Sequence, residues 1–210
     1  MAVITAFLAL LFFFFTLEPS FFLGYFLVSF LLLFVVAYFY WSLHFKEPLA
    51  FTTMILPLQF QLSFYLFFIM LREFYILPAY LTYALVVLFF VLCYILLQSI
   101  KELRGFSVLP LHNSRIILNS ITLFTSYLFF LSISLMDLSS STNLVIIFCF
   151  MFFNFFQSTL WWSRKNINAS VVFSLVSAFI LTEIFWIVGL LPQDTFIVTL
   201  LILNLQHMLM

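Results

Sequence analysis

AYLTYALVVLFFVLCYILL, residues 79–97, contains no charged side chain. It follows Arg72-Glu73 and Pro78 and gives way to Gln98 and then Lys101-Glu102. An apolar run of this size reads as a spanning helix, because roughly 20 residues rising about 1.5 Å each cross a hydrocarbon core of about 30 Å. Moving outward from it, charges and prolines cut the rest of the chain into runs of similar kind. They are Ala2–Leu17, Ser20–Leu43 and Leu49–Leu71 before it, and Ile116–Met136, Leu144–Trp162, Ala169–Leu191 and Thr195–Met210 after it. Glu18-Pro19, Lys46-Glu47-Pro48 and Pro192-Gln193-Asp194 each join charge to a residue that disfavours continued helix. Asp137 with Ser139–Asn143, and Ser163–Asn166, read as polar turns. The expected fold is therefore all-α, a single polytopic bundle of about eight transmembrane helices over residues 1–210.

Composition agrees with that reading. The 210 residues are 67% hydrophobic and only 7% charged, against about a quarter charged in soluble domains. Fourteen charged side chains, seven of each sign, cannot solvate a globular exterior, so the apolar surface faces lipid. The zero net charge gives no electrostatic case for nucleic acid. Only three glycines are present, which is little equipment for the close contacts and unwound sites of many transporters. Cys93 and Cys149 both fall inside apolar runs and read as small buried residues, not as a disulfide. The first and last runs, at 16 residues, reach only about 24 Å and are the shortest candidates. The first lacks the basic start and small-residue cleavage site of a signal peptide.

Lys and Arg set the orientation. With the N-terminus inside, the cytoplasmic connections hold Lys46, Lys101, Arg104, Arg115, Arg164 and Lys165, whereas the external ones hold only Arg72. Both ends are then cytoplasmic, and the expected location is the bacterial cytoplasmic membrane.

An ionisable group within a spanning segment costs several kcal/mol unless it is neutral, paired or hydrated, so each is a candidate site. Glu183, in Leu181-Thr182-Glu183-Ile184-Phe185-Trp186, is the clearest. It reads as a proton or cation site, as a neutral carboxyl bonded to a neighbour, or as the partner of Arg72. Arg115, Asn119, Thr122 and Ser126 recur at i, i+4, i+7 and i+11 on one face of the fifth run. Asn154, Gln157, Ser158 and Trp161 do the same on the sixth, and Thr52, Gln59 and Ser63 form a sparser stripe on the third. These stripes read as interhelical hydrogen bonding or as a polar pocket where Arg115 receives an anionic group. Ser170, Ser174, Ser177 and Ala178 make a small-residue packing face on the seventh run, with Glu183 roughly opposite. His44, His112 and His207 share no helix at ligand spacing, so no metal or haem is assigned. Asn168-Ala169-Ser170 matches a glycosylation sequon on the expected cytoplasmic side.

From about residue 98 to 195, the chain resembles a family of uncharacterised multi-pass membrane proteins of small-genome candidate-phylum bacteria. The likeness rests on Leu109–Asn119, on Phe156-Gln157-Ser158-Thr159-Leu160-Trp161, and on Thr182-Glu183 followed by Leu191-Pro192. The basic-acidic stretch expected after the sixth run is reduced to Arg164-Lys165. The resemblance implies no activity and no catalytic residue. Trp161-Trp162-Ser163-Arg164 with Thr182-Glu183 is also similar to a pattern of cytochrome oxidase subunit III. That family's histidine-rich segments are missing here, and the match is set aside as chance.

No phosphate loop, His-Glu-x-x-His pair, nucleophile elbow or acidic cluster occurs, which weighs against an enzyme. The leading expectation is a non-enzymatic structural or assembly component of the membrane. The alternative is a small transporter or lipid-handling protein using Glu183 and the stripes around Arg115, Asn119, Asn154 and Gln157. A lipid-modifying enzyme ranks third. The expected partners are membrane lipids and other membrane proteins, with no cofactor.

Overall fold

The computed structural model describes residues 2–36, 54–74, 78–103, 111–136, 140–162 and 167–189. Among them there is helix and no strand. The order is α1 (Ala2–Leu17), a 3-10 turn (Pro19–Phe21), α2 (Phe22–Val36), α3 (Ile55–Phe74), α4 (Ala79–Leu103), α5 (Leu111–Leu135), α6 (Ser140–Trp162) and α7 (Ile167–Gly189). Segments in α3 to α7 are long and apolar enough to cross a membrane: Ile55–Glu73, Ala79–Ile100, Ser114–Leu135, Ser141–Thr159 and Ile167–Ile187. Over the described residues α1 and α2, at 16 and 15 residues, cover about 24 and 22 Å. Among the described residues the chain is thus all-helical, with five helices long and apolar enough to cross a membrane. The last expected run, Thr195–Met210, lies outside the described residues.

Several helices outrun the apolar stretches that announce them. Helix α4 continues past Leu97 to Leu103, and α5 begins at Leu111 instead of Ile116, which brings Arg115 into the helix. Helix α3 begins later than residue 49, at Ile55, and extends through Arg72-Glu73. The physical reason is that helical hydrogen bonding does not stop where hydrophobicity does, and charged side chains at an exposed helix end cost little. The polar stretch Ser140–Asn143, expected as a turn, is the first turn of α6. Ser, Thr and Asn are favoured where a helix starts, since their side chains satisfy its unbonded N–H groups. Pro57 fits the first turn of α3 because its missing N–H has no partner there anyway.

The chain divides into two compact units, Met1–Ile121 and Thr122–Met210. In the first, α1 packs closely on α4, and α2 and α3 join them. Its centre is a cluster of rings. Phe12 of α1 stacks on Phe89 of α4 at 4.6 Å and meets Phe64, Tyr65 and Phe68 of α3 at 5.5–6.0 Å. Phe15 closes edge-on against Tyr65 at 4.6 Å. A buried phenol hydroxyl needs a partner, and Tyr65 Oη finds Ser29 Oγ of α2 at 3.3 Å.

In the second unit α6 and α7 pack along their length. The buried seam of α7 is Ser170, Ser174, Ser177, Ala178 and Leu181, at helical spacing. Small side chains let the backbones approach, which matters in lipid, where association relies on dispersion and hydrogen bonds more than on water exclusion. Helix α5 meets α6 through larger groups: Phe129 stacks on Phe150 at 3.7 Å and 5°. The outward faces are apolar as well, with Val145, Val172 and Trp186 all at least half exposed. Cys93 is buried but Cys149 is exposed, against the expectation for both. It lies in the outward row Val145-Cys149-Phe153, one helical turn apart.

Candidate functional site

Glu183 stands on the outward side of α7, away from the Ser170–Ala178 seam. It lines a groove of about 460 Å³ shared with Leu144, Val145 and Phe148 of α6 and with Phe179, Thr182 and Trp186 of α7. The start of α6 and the end of α7 meet there, as an antiparallel pair requires. Glu183 lies four residues before Ile187, the end of the α7 span, so it is about 6 Å inside that end. Its carboxyl makes no hydrogen bond or ion pair among the described residues, and it is the sole ionisable residue of the lining. The hydroxyl of neighbouring Thr182 is already committed, donating to Ala178 O at 2.7 Å. Trp186, 50% exposed, brings an indole N–H to the same stretch of helix.

The other predicted positions are placed as follows. Arg72 is exposed in the last turn of α3, in the first unit. Arg115 and Asn119 are half-buried on α5, whereas Thr122 and Ser126 further along are buried. Asn154 of α6 is 1% exposed and donates from Nδ2 to Ser126 Oγ at 2.9 Å. Gln157 and Ser158 are buried on the same face of α6. Asn154 Oδ1, Gln157 Nε2 and Ser158 Oγ have no hydrogen-bond partner among the described residues. Thr52, His44 and His207 lie outside the described residues. No group of three or more His, Cys, Asp or Glu able to hold a metal occurs among those described.

Several buried hydroxyls of these helices bond back to their own backbone. Ser63 donates to Gln59 O, Ser126 to Thr122 O, Ser132 to Leu128 O and Ser174 to Ser170 O, all at 2.6–3.0 Å. Such i−4 bonds let a helix carry a hydroxyl in an apolar medium without a second helix or water. Cross-helix pairs among the described residues also include Thr159 with Ser174 at 3.5 Å and Ser29 with Tyr65.

Sequence reasoning missed Leu144, Val145 and Phe148 as neighbours of Glu183. Each is one apolar residue in an apolar helix, and no spacing rule singles it out. It also passed over Gln61, 1% exposed in α3 with neither amide atom hydrogen-bonded among the described residues. A lone amide inside an apolar run was the available signal.

No family model, curated protein or solved structure matches the chain. The resemblance to the candidate-phylum family rests on the quoted residues alone.

Proposed function

We propose that the chain is a non-enzymatic component of a bacterial cytoplasmic membrane that binds membrane lipid in the groove between α6 and α7. In this reading all eight apolar runs cross the bilayer and both ends are cytoplasmic, which keeps six of the seven Lys and Arg on the inner side. One observation carries the lipid-binding part: the Glu183 carboxyl opens outward from an apolar groove with no partner among the described residues. A carboxyl at membrane depth is costly until something polar meets it, and the aliphatic and aromatic walls favour something apolar. An amphiphile meets both demands at once.

The transport reading relied on Glu183 and on the stripes of α5 and α6, where Ser126 donates to Thr122 O and accepts from Asn154 Nδ2 of the neighbouring helix. Those stripes support bundle cohesion. Docking of another membrane helix, the broader assembly role expected from the sequence, has less support on this face. The small-residue seam that would admit a second helix is buried against α6, while outward positions such as Phe173, Phe179 and Trp186 are bulky.

Native mass spectrometry after purification in mild detergent tests the proposal. The wild type is expected to retain lipid through mild activation. Val145→Trp, which fills the groove, is expected to lose it, and Val87→Trp on the exposed side of α4 is expected to keep it. Equal lipid retention by all three proteins would remove the groove as the site.

A further inference from the structure

We infer that the ligand of this groove is a lipid bearing a primary ammonium headgroup, with its N–H groups on Glu183 and an acyl chain between Phe148 and Phe179. The inference rests on the lipid-binding reading above and adds the chemistry of the head.

Charge is the first consideration. Glu183 is the one ionisable residue in the lining, so no cation stands there to receive an anionic headgroup. Hydrogen bonding is the second. A carboxylate paired with a cation accepts hydrogen bonds; Thr182 has already given its proton to Ala178 O, which leaves the Trp186 indole N–H as the one donor of the lining. A ligand that brings donors of its own matches the acceptor capacity of the carboxyl group. A primary ammonium has three, whereas a trimethylammonium has the charge but none of the N–H groups. Charge-assisted bonds of this type are about twice as strong as neutral ones.

Depth and size agree. Glu183 is about 6 Å inside the end of the α7 span and Trp186 lies closer to that end, where indole rings prefer to sit at the headgroup level. From Phe179 to Trp186 the groove follows α7 for about 10 Å. A single acyl chain can lie along that length, against the apolar side chains of the lining.

The test is a competition. Wild type and Glu183→Gln are reconstituted in an equal mixture of phosphatidylethanolamine, phosphatidylcholine and phosphatidylglycerol with identical acyl chains, and the lipid that stays bound is identified by native mass spectrometry. Wild type is expected to retain the ethanolamine lipid over the choline lipid by about threefold or more, the scale of one polar contact in a membrane. Glu183→Gln is expected to hold lipid without that preference. Equal retention by the wild type, a preference for the glycerol lipid, or a preference that survives Glu183→Gln each overturns the headgroup assignment. The groove reading outlives those outcomes if Val145→Trp still sheds lipid. A wild type that binds no lipid, or a protein subunit released by Glu183→Gln in its place, overturns both.

Discussion

Asn154 and Gln157 sit three residues apart on one face of α6, yet their amides face different accounts. Asn154 Nδ2 reaches Ser126, joining α6 to α5. Gln157 Nε2 is buried without a partner among the described residues. Interhelical hydrogen bonds in membranes average about 0.6 kcal/mol and reach about 1.7. Asn154→Ala is therefore expected to lower the unfolding free energy by roughly 1 kcal/mol, measured by SDS-driven unfolding from mixed micelles. Gln157→Leu is expected to be neutral or stabilising, because it removes a desolvated donor and keeps the volume. If Gln157→Leu instead destabilises as much as Asn154→Ala, the amide has a partner that this account does not name. Glu183 differs from both in opening outward, which is why its variant is read by bound lipid and not by stability.

At the scale of the element, the α6–α7 pair depends on the seam Ser170, Ser174, Ser177 and Ala178. Ser174 is fully buried while Leu175, the next residue, is exposed. Ser174→Phe forces a ring between the two backbones and is expected to cost about 1–3 kcal/mol by overpacking. Leu175→Phe should change stability by less than about 0.5 kcal/mol. Comparable losses for both would mean that the seam is not where the helices meet. That seam was legible beforehand, because small residues at helical spacing stand out in an apolar run. The bounds of α1 were legible too, set by Glu18-Pro19. The extra turns of α4 and α5 were not, since hydropathy marks where lipid stops and not where backbone hydrogen bonding stops. The groove was half legible. Glu183 announced itself by charge, but its α6 walls did not, because a helix that is apolar on every side offers no stripe from which to infer its neighbour.

For the molecule as a whole, the organising condition is the solvent. Aromatic rings fill the middle of the first unit around Phe12, and comparable apolar side chains cover the outside. In water the exterior would drive aggregation; in a bilayer it is the required surface. The proposed orientation rests on the Lys and Arg distribution and is checked by fusing a reporter active only in the cytoplasm to each end. Activity at both ends is expected, and activity at one end alone would mean an odd number of crossings. The claim beneath all of this is that the bilayer surrounds these helices, and alkaline carbonate extraction of native membranes measures it most directly. The chain is expected to stay with the sedimented membrane until detergent is added. Release into the carbonate supernatant would contradict the account.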